Sequence, residues 1–505
     1  MGLGMTGNLA EQLARLARER GWTSRRAFVG AERSFTHGEV HEGAAHAAGV
    51  FAEGGVAPGD RVLIALSDGI ELVWAFLGAV RLGAIAVPVN PMLPAQEHDF
   101  LLGDAEPSLV VSDGPILDHF AGTHALSGEE LARMLGSATP SPAAPVEGSE
   151  PAYAQYTSGT TGKPKAALHR HSDPSCYAAA MAGDVLEMTE DDLVLSVSRS
   201  FFAYGLGNTV LFPLFHGAAA VLHPVTPNVE VLAELTARHR PTILFCVPSY
   251  YAVLTAAGDP AMFSSVRVAV SSGEVLTRAL HERVQRFLGI PPLDALGSTE
   301  VGQAFVSNRL DRLRPGTCGF ALEGYEISVR DPSGAEVGPN EVGLLWVKGP
   351  SVLIGYWRRP EATAEAIVDG WLRTGDRASI DEDGFLHHHG RADDVEIVGG
   401  INVVPLEIEA LLVSHPLVAE AAVAAVRDEL GASRLRAFVV PARGHAPSPA
   451  LERELIDLVR AHHAPYKVPR SVRFLTALPR TATGKLQRFT LRAGWPDAPG
   501  TTGTA

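Results

Sequence analysis

Between Tyr156 and Lys165 the chain reads Tyr-Thr-Ser-Gly-Thr-Thr-Gly-Lys-Pro-Lys, a concentration of hydroxyls, glycines and lysines behind a strand-like run. Such a segment suits phosphate. Glycines let backbone N–H groups approach the oxygens, hydroxyls donate hydrogen bonds, and lysines supply positive charge. A solvent-facing Thr/Gly turn would account for the glycines but not for so many donors. The segment is not a Walker A loop, because Gly159 and Gly162 are too close together and Pro164 stands where Ser or Thr would follow the lysine. That argues against a kinase or motor ATPase.

Four further segments follow in order: Gly297-Ser-Thr-Glu300, Trp371-Leu-Arg-Thr-Gly-Asp376, Gly390-Arg-Ala-Asp-Asp394 and Pro479-Arg-Thr-Ala-Thr-Gly-Lys485. With the 156–165 loop they resemble, in sequence and order, the signature motifs of the adenylate-forming superfamily, which includes acyl-CoA synthetases, peptide-synthetase adenylation domains and luciferases. Tyr356-Trp357 and Tyr466-Lys467-Val468-Pro469 look like further landmarks of that family, and the resemblance spans roughly residues 10–492.

The resemblance implies a carboxylate attacking the α-phosphorus of ATP, then transfer of the acyl group from AMP to a thiol. Phosphorus transfer of this kind needs in-line placement and cations where charge accumulates, not a protein nucleophile. Carried over by position, Thr157, Ser158, Gly159, Thr160, Thr161, Gly162 and Lys163 would hold ATP phosphates, with Thr161 taking part in catalysis. Ser298 and Thr299 would contact the nucleotide, Glu300 would help hold Mg²⁺ as a hard oxygen ligand, Asp376 would accept the ribose hydroxyls, and Arg391 would add a ribose or phosphate contact. Lys485 would bridge the attacking carboxylate and the α-phosphate, a task suited to a flexible ammonium. Asp393 occupies the family's hinge position, and Gly399-Gly400 would line the pantetheine tunnel. ATP, Mg²⁺ and coenzyme A are the expected substrates and metal.

The stretch Ser198-Arg-Ser-Phe-Phe-Ala-Tyr-Gly-Leu-Gly-Asn208 is similar to the acid-pocket segment of benzoate-type aryl-CoA ligases, and aromatic rings beside glycines can form a slot for a flat substrate. Ala203, Tyr204 and Gly297 would then contact the ring and Phe202 the adenylate, with Gly302, Gln303 and Ala304 completing the pocket. Benzoate ligases usually carry a histidine and a bulky aliphatic residue at the last two positions. Gln303 and Ala304 therefore imply a roomier pocket, and Gln303 is expected to hydrogen-bond a hydroxyl or amino group on the ring. The acceptor is expected to be CoA; an alternative is a carrier protein, and a non-catalytic nucleotide-binding homologue is disfavoured by the presence of both Glu300 and Lys485.

These residues need a scaffold. Apolar runs at 61–66, 84–89, 108–112, 152–157, 193–198, 218–223, 242–247 and 266–271 alternate with helical spacing at 10–20, 38–53 and 229–240, which predicts an α/β fold. After Gly316 the pattern turns β-like, and the charged break at 390–394 suggests two domains: residues 1–390, a large multi-subdomain α/β unit holding the ATP and acid sites, and residues 391–505, a small mobile α+β lid carrying the lysine. The 505 residues are 46% hydrophobic and 20% charged, enough to build such a core.

A formal charge of −15 excludes broad attraction to nucleic acid or anionic membrane. No signal-peptide pattern opens the chain, and Arg81 interrupts its most apolar stretch, so a cytoplasmic protein is expected. Cys176, Cys246 and Cys318 lack metal-site spacing and read as core residues, and His387, His388 and His389 read as a solvent-facing strand end.

Overall fold

Short apolar runs bounded by turn residues become parallel strands, and the amphipathic segments between them become the covering helices. The computed structural model describes residues 7–113, 124–157, 164–225, 227–392, 396–398, 401–427, 433–480 and 486–492. Among these, one sheet runs Phe320–Ala321, Ala304–Ser307, Pro292–Gly297, Val268–Ser271, Ile243–Cys246, Leu193–Ser196, Ala219–Val221, Arg26–Val29, Ser34–Thr36. Its interior ladders are parallel and its edges antiparallel. A second sheet runs Gly355–Tyr356, Lys165–Arg170, Pro151–Thr157, Ile85–Pro88, Arg61–Ala65, Leu109–Ser112, Ala125–Leu126.

Strands such as Ile243–Cys246 and Val268–Ser271 are buried throughout, as expected where helices cover both faces. The most apolar segment contributes helix Ile70–Arg81, which is buried on nearly every side between the sheets and helix His37–Glu53. Among the described residues no helix is long and apolar enough to cross a membrane. Thr36 starts helix His37–Glu53 with a capping box: its hydroxyl accepts from Glu39 N while the Glu39 carboxylate accepts from Thr36 N.

A third, antiparallel sheet contains Glu326–Arg330, Gly343–Lys348, Trp371–Ile380 and Leu386–Arg391. Strand Leu386–Arg391 ends inside the charged segment 390–394, where the domain boundary is expected. Beyond it, strands Val418–Arg427, Ser433–Pro441 and Ser471–Phe474 pack with helices Pro405–Val413 and Pro449–His462 around their own apolar centre of Ile408, Leu412, Val423, Leu435, Leu455 and Val459.

Candidate active site

Strand Pro292–Gly297 ends in the segment expected to meet nucleotide, and three hydrogen bonds to its carbonyls fix the turn that follows. Ser298 leads into a single 3₁₀ turn, Thr299–Val301, and Gly302 closes it at φ +81°. His169 Nε2 donates to Thr299 O at 2.7 Å, Leu353 N to Glu300 O at 2.8 Å, and Ser351 Oγ to Val301 O at 2.7 Å. A Cβ at Gly302 would lie 3.0–3.3 Å from Tyr177, Tyr153 and His169, so both the backbone angle and the space demand glycine there. Ser298 Oγ is buried with no hydrogen-bond partner among the described residues.

Glu300 is aimed by Tyr356, whose hydroxyl donates to Glu300 Oε1 at 2.9 Å. The same ring carries Lys165 Nζ 4.5 Å from its centroid. Lys165 pairs with Thr157 across the hairpin Pro151–Thr157/Lys165–Arg170, so the two ends of the expected phosphate loop meet beside Tyr356. Ser158, Gly159, Thr160, Thr161, Gly162 and Lys163 themselves lie outside the described residues. Burial and the adjacent Glu300 carboxylate hold the Tyr356 phenol protonated, against the opposing pull of Arg391. Tyr356 thus joins the loop base, the motif glutamate and Arg391 in one cluster.

Asp376 is buried and sits opposite Arg391 in the ladder between Trp371–Ile380 and Leu386–Arg391. Arg391 Nη1 donates to Thr374 O at 2.9 Å and lies 3.9 Å from Asp376 Oδ1, which also receives His388 Nε2 at 3.2 Å. Burial pushes the Asp376 carboxyl up, but the His388 contact, Arg391 and the Thr374 hydroxyl outweigh it and leave the pKa below the ordinary carboxylate value.

The expectation of a solvent-facing histidine strand end is therefore corrected: His387 meets Asp381 Oδ2 at 2.9 Å, His388 meets Asp376, and His389 meets Ser379 Oγ at 2.9 Å. Sequence periodicity placed these rings on alternate faces but could not show that each face held a partner. Their strand also walls a cleft of about 310 Å³ between the two domains, together with Leu276, Thr277, Pro315, Leu406 and Glu407.

The acid-pocket segment folds into a short helix, Ala203–Gly205, continuing into a π-helical turn, Leu206–Leu211, an irregularity that recurs at functional sites. Phe202 packs edge-on against Phe201 with centroids 4.5 Å apart, and Tyr204 stands edge-on to Phe245 at 5.9 Å. This is the C-terminal end of strand Ile243–Cys246, where parallel sheets place their ligands.

Gln303 behaves differently from expectation. Its Nε2 donates to Tyr204 O at 3.3 Å and Asn208 Oδ1 at 3.2 Å, while its Oε1 accepts from Ala304 N at 2.9 Å. Both amide hydrogens are thus engaged inside the protein, so of the hydrogen bonding expected between Gln303 and a ring substituent only acceptance at the second lone pair of Oε1 is left. Gly207 permits this, since a Cβ there would fall 2.1 Å from Gln303 Nε2. Gln303 thus ties its sequence neighbours Gly302 and Ala304, and Gly297, which pairs with Ala304 in the ladder, to the Tyr204 backbone.

Asp393, Gly399, Gly400 and Lys485 lie outside the described residues. Arg480, which pairs with Leu486 as an antiparallel bridge, reaches across to Glu274 of the large domain at 2.9 Å and also binds Glu420 of its own domain at 2.6 Å. Glu274 in turn accepts from Ser249 N and Oγ. The flank of the lysine segment is thereby tied to the loop that follows strand Val268–Ser271.

A two-domain α/β scaffold that brings the hairpin flanking the expected phosphate loop, a carboxylate turn and a buried aspartate together has the architecture of a nucleotide-dependent ligase. Residues 16–357 match the AMP-binding enzyme family and residues 407–485 its AMP-binding enzyme C-terminal domain, and the chain belongs to this family. It is 44% identical over 496 residues to the p-hydroxybenzoic acid–AMP ligase FadD22 of Mycobacterium tuberculosis, covering 98% of this chain and 70% of that one. It is 36% identical to the benzoate–CoA ligase of Thauera aromatica over 87% of this chain and 86% of the relative. Among solved structures, a benzoate CoA ligase from Burkholderia xenovorans LB400 superposes with a TM-score of 0.90 at 34% identity, covering 96% of this chain and 99% of that one.

Proposed function

We propose that this protein activates an aromatic carboxylic acid, of the benzoate or hydroxybenzoate type, with ATP and passes the acyl group to CoA. In the first step a carboxylate oxygen bonds to the α-phosphorus, the bond to the β-phosphate bridge breaks, and pyrophosphate leaves. In the second, a thiolate attacks the acyl carbonyl, AMP departs, and the thiol proton passes to solvent. The observation that carries this reading is the Tyr356 cluster, which gathers the base of the phosphate hairpin, Glu300 and Arg391 around one ring.

Asp376, held ionised, is the acceptor for ribose hydroxyls, and His388 and Arg391 keep it oriented. Ser298 and Thr299 contact the nucleotide at the end of the rigid turn. Glu300 presents a carboxylate fixed through one oxygen by Tyr356, a donor set that suits Mg²⁺, which would neutralise phosphate charge when bound. Ala203, Tyr204, Gly297, Gly302 and Ala304 shape the acid slot, and Phe202 faces the adenylate. Lys485 delivers its ammonium between carboxylate and α-phosphate, and the small domain then turns about Asp393 to bring Gly399 and Gly400 to the thiol path.

A carrier-protein thiol is the second reading for the acceptor, favoured by the higher identity to a relative named as an acid–AMP ligase than to one named as a CoA ligase. Purified protein incubated with ATP, magnesium and a panel of aromatic acids should release pyrophosphate and AMP; accumulation of ADP refutes the reaction. Free aroyl-CoA on adding CoA supports the first acceptor, and adenylate that stays unused supports the second.

A further inference from the structure

Beside Gln303, the Asn208 amide nitrogen and the Tyr204 hydroxyl are buried without a well-formed hydrogen bond among the described residues. Because Asn208 Oδ1 is taken by Gln303 Nε2, the Asn208 amide is locked with Nδ2 pointing away from Gln303, and Nδ2 is buried without a well-formed hydrogen bond to any of the described residues. The Tyr204 hydroxyl is likewise buried and has no well-formed hydrogen bond among the described residues. It neighbours the Asn208 amide, which draws the phenol's pKa down against the larger effect of burial, but the two make no well-aligned hydrogen bond. Asn208 is fully buried, carried inward by the π-helical turn. Burial holds the Tyr204 phenol neutral, able both to donate and to accept. An unsatisfied buried donor pair costs free energy unless a ligand completes it.

We propose that Asn208 Nδ2 and the Tyr204 hydroxyl form the receptor for a hydroxyl on the ring of the aromatic acid, with Gln303 as the residue that positions Asn208. The proposal rests on the aryl-acid reading above and deepens it. A phenolic hydroxyl accepts from Asn208 Nδ2 while donating to Tyr204, satisfying both groups. An amino group can donate to Tyr204 but accepts poorly from an amide, and an unsubstituted ring leaves both groups bare. The expected order is therefore hydroxy, amino, unsubstituted.

The test is kcat/KM for pyrophosphate release with 3- and 4-hydroxybenzoate, 4-aminobenzoate and benzoate. The native protein should favour one hydroxybenzoate over benzoate by about tenfold or more, the scale on which polar sites reject analogues lacking the group. Tyr204→Phe, which removes only the hydroxyl, should cut the hydroxybenzoate-to-benzoate ratio about tenfold at an unchanged Tm. Asn208→Leu should do the same, and if it does not fold, Tyr204→Phe alone decides the matter. Gln303→Leu should weaken the preference by freeing Asn208. An unchanged hydroxybenzoate-to-benzoate ratio in Tyr204→Phe, or no hydroxyl preference in the native protein, overturns the receptor while leaving aryl-acid activation standing. Failure to activate any aromatic acid overturns both.

Discussion

The Arg480–Glu274 contact links the two domains beside the segment that carries Lys485, and breaking it should bias one half-reaction. At a charge separation of about 4 Å and an effective dielectric of about 20, the raw Coulomb attraction is about 4 kcal/mol. Both side chains are a little under a third exposed, however, at 29% and 28%. Partly solvated pairs retain only about 1 kcal/mol after desolvation and side-chain ordering. If the contact exists only when the lysine faces the site, its loss should lower that population about fivefold.

Arg480→Met and Glu274→Gln should therefore each slow pyrophosphate release about fivefold, leave thioester formation from a supplied aroyl-adenylate unchanged, and show no additional effect in combination. Glu420→Gln, which removes the Arg480 partner within the small domain, should leave the ratio of the half-reactions alone. Raising the salt concentration should erode the advantage of the native protein. Additive effects in the double variant, or equal slowing of both half-reactions, would refute the latch.

Lys485→Ala should cripple adenylation yet preserve thioester formation from supplied adenylate; equal loss in both assays would falsify the moving-lysine assignment. His388→Ala should raise the KM for ATP several-fold while kcat changes less, because Asp376 loses an orienting partner; an effect confined to kcat argues against this role. Asp376 has a depressed pKa in the fold, so its stabilising contribution is full above the ordinary carboxylate pKa of about 3.9 and is lost as pH falls through its lower folded value. Asp376→Asn should accordingly flatten that acid-side decline in urea titrations. Gly302→Ala should destabilise the protein by about 1–3 kcal/mol, measured by the urea midpoint, because the backbone is left-handed and its surroundings are tight.

The alternation of apolar runs and helical spacing was enough to read the parallel sheets, since strands buried on both faces need continuous Val, Ile, Leu and Phe. Helices fell within a residue or two of expectation, as at Leu9–Glu19 and Val229–His239. The motif segments could be located because each joins chemistry-bearing residues contiguous in sequence. What could not be read was contact between distant segments. Tyr356 was visible as a landmark, but not its hold on Glu300, 56 residues away. The histidine run suggested solvent because its partners lie elsewhere in the chain, Asp376 and Ser379 on the neighbouring strand and Asp381 just after it. Gln303 looked available for a ligand because nothing local revealed that Gly207 clears room for its amide against Tyr204 and Asn208.

Strand Gly355–Tyr356 hydrogen-bonds into one large sheet, yet its tyrosine secures the carboxylate at the end of the other. The halves of the large domain are therefore not interchangeable cassettes. A recombinant that exchanges one sheet between relatives should keep residues 299–301 and 351–356 from the same parent, because a crossover between them would mate a turn to a clasp shaped for another backbone.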